Sequence, residues 1–168
     1  MIINRMWCMP SHKTFEIKPI RELLTKYITN SQGWIDPFAR ESKVASITND
    51  LNSDYDTDFH LDALEFLKMF GNESIQGVLY DPPYSLRQVS ECYKSVGIEV
   101  TKETTQASWR SKHMDEIKRI LTSGGILISF GWNSNGAGKN RGFEIVEMLL
   151  VAHGGRHNDT IVTVERKR

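Results

Sequence analysis

The sequence predicts an α/β fold, a mainly parallel sheet covered by helices and closed by a C-terminal antiparallel β-hairpin. Three observations predict it. Short apolar runs alternate with stretches of helical period along the chain, the pattern of parallel strands joined by helical crossovers. Two alternating segments near the C-terminus flank Gly154-Gly155 and Asn158-Asp159, which suits a hairpin. Acidic residues follow successive strands, at the sheet edge where ligands bind in such folds.

Residues 15–28 carry apolar side chains at 15, 17, 20, 23, 24, 27 and 28, a helical stripe beginning near Pro19. Trp34-Ile35-Asp36-Pro37-Phe38 is a short apolar strand ended by a proline turn. Val44 to Thr48 is a second strand, ending in Asn49-Asp50. Leu61, Leu64, Phe66, Leu67 and Phe70 give a helix closed by Gly71. Gly77 to Tyr80 is a buried strand that runs into Asp81-Pro82-Pro83-Tyr84. Leu86 to Val96 forms a helix stopped by Gly97, and Ser108 to Leu121 a longer one capped by Gly124-Gly125. Ile126 to Phe130 is a fully apolar strand, and 143–152 and 160–164 are the hairpin strands.

Composition narrows the function. The 168 residues hold 21 Lys+Arg and 21 Asp+Glu, so the chain is neutral. Binding nucleic acid through bulk charge is thereby excluded, and any such contact is local or assisted. With 39% hydrophobic and 10% aromatic residues the chain is not disordered. No apolar run approaches the ~20 residues of a membrane span and no signal peptide is evident, so a cytoplasmic setting is expected. Cys8 and Cys92 make no CxxC pair, and His153 and His157, although at HxxxH spacing, flank a Gly-Gly turn instead of lying on one helix face. This fits a reducing compartment and gives no metal site. A single catalytic domain over 1–168, without a separate target-recognition domain, is expected from the length.

The chemistry concentrates at Asp81-Pro82-Pro83-Tyr84. Two consecutive prolines fix φ and remove two backbone donors, leaving a rigid turn. The Asp81 carboxylate and a proline carbonyl then offer two acceptors at fixed positions, and an exocyclic amino group has two N–H donors to satisfy them. Tyr84 gives a flat surface for the ring that bears the amino group. A Pro-Pro loop with a helix-capping Asp would use the same residues.

This tetrad resembles motif IV of the amino-methyltransferases, which methylate adenine N6 or cytosine N4. Asp36-Pro37-Phe38-Ala39 resembles their motif I, although Arg40-Glu41-Ser42 follows where the family continues with a Gly-rich turn. Residues 13–20, with Phe15, resemble motif X, which closes over the cofactor. The segment 60–67 resembles motif III, with Asp62 and Ala63 beside the cofactor adenine. Asp50, after the second strand, matches the position at which Rossmann-like folds receive a ribose, and Leu51 is expected to cover one face of the adenine. A more specific likeness is to short phage-encoded or mobile-element adenine-specific methylases, carried by Met9-Pro10, Asp36-Pro37-Phe38-Ala39, Asp81-Pro82-Pro83-Tyr84-Ser85 and Phe130-Gly131-Trp132-Asn133-Ser134.

The resemblance implies a Rossmann-like class I methyltransferase fold and S-adenosyl-L-methionine as cofactor. It implies transfer of a methyl group to adenine N6 in DNA. Asp81, Pro82, Pro83 and Tyr84 are the expected catalytic residues. Phe15, Asp36, Pro37, Phe38, Asp50, Leu51, Asp62, Ala63 and Asp81 are expected at the cofactor. Tyr84, Ser85, Trp132 and Asn133 are expected at the substrate. Four acidic residues, 36, 50, 62 and 81, are each expected to end a strand. DNA is the expected partner, with RNA or cytosine N4 as alternatives. Target specificity is expected from a few loops, a homodimer or a partner subunit. The departure after Asp36 keeps a second class open, a non-catalytic subunit of the same fold.

Overall fold

The computed structural model describes residues 1–101 and 107–168. In chain order the elements are β1 (Ile2–Trp7), α1 (Lys18–Tyr27), β2 (Trp34–Asp36), β3 (Ile47–Thr48), α2 (Ala63–Lys68), β4 (Ile75–Tyr80), α3 (Leu86–Ser95), α4 (Ala107–Ile120), β5 (Leu121–Gly131), β6 (Phe143–Ala152) and β7 (Thr160–Lys167). The strands form one seven-stranded sheet in the order β1-β6-β7-β5-β4-β2-β3. Strands β3, β2, β4 and β5 run parallel. Strand β7 inserts antiparallel between β5 and β6, as expected of the closing hairpin.

Alternation along the central strands gives each face of the sheet its own core. Leu79, Ile128 and Phe130 point to one face, with Ile20, Leu23 and Leu24 of α1. Val78, Tyr80 and Leu127 point to the other, with Phe66 and Leu67 of α2 and Met114, Ile117 and Ile120 of α4. Helix α1 starts where Pro19 occupies the first turn, a position that needs no N–H. Among the described residues no helix is long and apolar enough to cross a membrane.

The structure departs from the sequence reading in four places. The helix expected to run to Leu121 and be capped by Gly124-Gly125 ends at Ile120. Leu121 is fully buried and pairs with Ile75, so the chain passes from helix straight into sheet. The two glycines lie where the register shifts between Ile75 and Gly77, and Gly124 has φ 78°. The strand expected over 44–48 shrinks to two residues. No strand precedes Asp62: only an isolated bridge joins Phe59 to Asn49. Residues 50–58 are spent on local polar bonds instead, with Asp50 accepting from Asn52 N and Asp58 from Thr48 N and Oγ1. Finally, β1 is a strand that sequence reading left unassigned. It pairs parallel with β6 at the sheet edge, and all six of its residues are exposed.

Candidate active site

Three buried or half-buried carboxylates end neighbouring parallel strands. Asp36 is the last residue of β2, Asp50 follows β3 by two residues and Asp81 follows β4 directly. The fourth expected acid, Asp62, does not join them. It caps α2 by accepting from Leu64 N at 2.9 Å, and its other oxygen accepts a hydrogen bond from the Tyr93 hydroxyl. Ala63 is buried beside it in α2.

Three cavities of about 370, 440 and 460 Å³ open at this edge, each of a size that holds a small ligand. The first lies between residues 12–16 and the loop 38–44. The second lies between that loop, Asp50 and α3, where Gln88, Glu91 and Cys92 line it. They share His12, Thr14, Phe38, Arg40 and Asp81 and so form one groove. The third is aromatic, with Trp109, Phe130 and Trp132 beside Val89 and Arg110. Pro82, Pro83 and Tyr84 border both the second and the third. The rigid tetrad is therefore a wall between a polar groove and an aromatic pocket.

The tetrad is held from α3. Ser85 caps that helix and accepts from Gln88 N, while Gln88 Oε1 accepts from Tyr84 N at 2.7 Å and Ser85 N at 3.2 Å. The Ser85-x-x-Gln88 spacing is a capping box, a signal that sequence reading passed over. Tyr84 donates its hydroxyl to Asp81 Oδ1 at 2.5 Å. Its ring meets Trp132 edge-on, with centroids 5.7 Å apart. Burial pushes the Asp81 carboxyl up from its ordinary range, and the hydroxyls of Tyr84 and Thr14 oppose that shift.

Asp36 and Pro37 are buried and border none of the three cavities. Asp36 Oδ1 accepts from Phe38 N at 3.0 Å, but Oδ2 is buried with no hydrogen-bond partner among the described residues. Burial raises this carboxyl well above the usual range, and the neighbouring Asp81 and Asp50 push it further. Asp50 is raised by burial too, against the N–H groups of Asn52 and Arg40 that it accepts. Three neighbouring acids, one with a buried oxygen that no donor reaches among the described residues, favour a cation nearby. Phe38 borders both halves of the groove and packs edge-on against Tyr80 at 5.5 Å. Phe15 lines the first cavity, its ring 4.9 Å from that of Phe130. Leu51 borders none of the three. Ser85, Trp132 and Asn133 line the aromatic pocket, and Trp132 is 42% exposed.

Sequence reading missed His113. It is 1% exposed on α4, its Nδ1 lies 2.9 Å from the Tyr80 hydroxyl, and burial pulls its pKa down to about 4. It supports Trp109 from behind, with ring centroids 4.3 Å apart. A polar stretch precedes Trp109 in the sequence, and its residues 102–106 lie outside the described residues.

The chain superposes on 1,6-didemethyltoxoflavin-N1-methyltransferase from Burkholderia thailandensis, crystallised with 1,6-didemethyltoxoflavin and S-adenosylhomocysteine. The TM-score is 0.61 and the identity 11%, over 89% of this chain and 77% of that one. The fold is the Rossmann-like class I methyltransferase fold. A SAM-dependent methyltransferase from Archaeoglobus fulgidus matches at TM-score 0.58 and 10% identity, over 89% and 94% of the two chains. TrmN from Thermus thermophilus matches at 0.58 and 16%, over 90% of this chain, which spans about half of that protein at 49%. No protein-family model and no curated protein sequence matches the chain.

Proposed function

We propose that the protein is an S-adenosylmethionine-dependent methyltransferase acting on the N6 amino group of adenine in DNA. One observation carries the reading: Pro82, Pro83 and Tyr84 separate a groove ringed by carboxylates from a pocket walled by aromatic side chains. A cationic nucleoside cofactor suits the first and a flat base suits the second. The raised carboxyl of Asp50, which lines the groove with the buried Asp36 near it, fits the cofactor's positive groups. S-adenosylhomocysteine in the Burkholderia structure supports the same cofactor.

When bound, S-adenosylmethionine supplies an electrophilic methyl group on a sulfonium. The chain's own residues then prepare the acceptor. An aromatic amino group is a poor nucleophile because its lone pair is delocalised into the ring. Ionised Asp81 and the Pro82 carbonyl accept its two N–H bonds, which favours a tetrahedral nitrogen and localises the pair. Trp132 and Tyr84 hold the base in the aromatic pocket. A base in a duplex must leave the stack to reach them. As the nitrogen gains the methyl group it gives up one proton, for which Asp81 is the accepting carboxylate, and S-adenosylhomocysteine is the leaving group. Catalysis is otherwise by orientation and electrostatics, without a covalent nucleophile.

The test uses purified protein, labelled cofactor, and DNA or RNA, with the nucleosides identified by mass spectrometry. Labelled N6-methyladenosine from RNA alone, or N4-methylcytosine, would redirect the substrate. Asp81→Ala is expected to lower kcat by at least about 100-fold, the scale of losing one oriented electrostatic contact. Calorimetric affinity for S-adenosylhomocysteine should stay within a few-fold of wild type. Transfer at the wild-type rate would remove Asp81 from its role.

A further inference from the structure

Arg40 stands where an arginine is poorly accommodated. Its φ is 52°, in the left-handed region that disfavours any residue with a Cβ. The strained backbone is held on both sides: Arg40 N donates to Asp50 Oδ2 at 3.0 Å, and Ala39 N donates to Asn49 O at 2.9 Å. A non-glycine residue kept in such a conformation beside a cavity points to a use for its side chain. That side chain reaches across the groove, where one guanidinium nitrogen donates to His12 O at 3.1 Å. The guanidinium carbon lies 6.0 Å from the Tyr55 ring centroid. Arg40 is thus the strap at which the two halves of the groove meet, and it borders both.

The ligand of this groove, on the proposed function, carries two positive groups and one negative one, the carboxylate of its methionine part. The strand-tip carboxylates suit the positive groups, so the carboxylate needs a cation. Four cations border the groove. Lys13 is paired with Glu16 and Glu41, and Lys43 with Asp56. Arg21 borders only the first half. Arg40 borders both halves. Tyr55 hydrogen-bonds its guanidinium, and Glu41 and Asp81 lie near enough to act on its charge, but among the described residues no carboxylate is in ion-pair contact with it. A guanidinium has five N–H donors in a fork that matches a carboxylate.

We propose that the Arg40 guanidinium anchors the carboxylate of the cofactor's methionine moiety, so that a side chain positions this end of the ligand. The inference rests on the cofactor reading above, and the test keeps the two apart. Calorimetric affinities are measured for two ligands: S-adenosylhomocysteine, and S-adenosyl-3-thiopropylamine, the same molecule without its carboxylate. The proteins are wild type, Arg40→Gly and Arg40→Lys. Glycine removes the guanidinium and also relieves the left-handed backbone, so the unliganded melting temperature should hold or rise. That separates loss of binding from loss of fold.

Arg40→Gly should weaken S-adenosylhomocysteine roughly 10- to 100-fold and the decarboxylated ligand less than about threefold, as expected for a lost charged hydrogen bond. Arg40→Lys should recover part of the loss, since it keeps the charge and loses the fork. Equal weakening of both ligands would make Arg40 a loop-shaping residue and overturn the proposal. So would unchanged S-adenosylhomocysteine affinity with weakened DNA binding, which would give Arg40 to the phosphates. If wild type binds neither ligand at millimolar concentration, the cofactor reading itself falls, and this inference with it.

Discussion

At the scale of single residues, the site depends on carboxylates kept out of water. Asp36 is the extreme case, fully buried with one oxygen lacking a donor. Its carboxyl is raised in the folded chain, mainly by burial, so the folded state binds its proton more tightly than the unfolded one. The stabilisation this gives is complete below the unfolded value of about 3.9 and is lost as pH rises through the folded value. Urea unfolding across pH 3 to 8 should therefore show a downward slope that Asp36→Asn flattens. An unchanged slope would place the ionised form of Asp36 comfortably in the apo protein. Asp36, Asp50 and Asp81 were legible in the sequence because each follows an apolar strand. Asp62 misled because the same residue type caps helices, and capping α2 is what it does. Arg40 was visible only as a missing glycine, since neither its φ nor its reach to His12 is written in the local sequence.

At the scale of elements, strands β2 and β4 fix where Asp36 and Asp81 stand. They pack through an unusual contact: Gly77 on β4 leaves the space that the Trp34 indole on β2 fills. A Cβ at position 77 would lie 2.3 Å from Trp34 Cδ2. Gly77→Ala is expected to destabilise the protein by about 1–3 kcal/mol, the range for overpacking a core. The midpoint of denaturant unfolding reads this directly, and a change under ~0.5 kcal/mol would mean the indole moves aside freely. Most helices were legible from their periodic apolar stripes, and β4 and β5 from their apolar runs. The edges were not. Strand β3 was read as 44–48 but has only two residues, and β1 buries no side chain, so it lacks the hydrophobic pattern that reveals a strand. Helix α1 is also tied to β6 through polar bonds, with Glu147 accepting from Lys26 at 2.5 Å and Tyr27 at 2.6 Å. Such pairs, more than 100 residues apart in sequence (120 for Tyr27 and Glu147), have no local signature.

At the scale of the whole molecule, the parallel core and the inserted hairpin followed from the order of elements, which alternates and then ends in two adjacent strands. The sheet order did not, because β1 returns to the hairpin side and joins β6 across almost the whole chain. The neutral charge also reads differently beside the structure: acidic groups gather at one sheet edge, while Lys13, Lys43 and Arg40 ring the groove there. The wall of Pro82, Pro83 and Tyr84 has a kinetic consequence. Two ligands lying on opposite faces of one rigid turn can be present together, and the methyl group can pass between them with no stop on the protein. The proposed reaction should therefore give intersecting double-reciprocal lines when cofactor and DNA are varied. Parallel lines, the sign of a methylated enzyme released between two half-reactions, would mean that the wall is itself a way station.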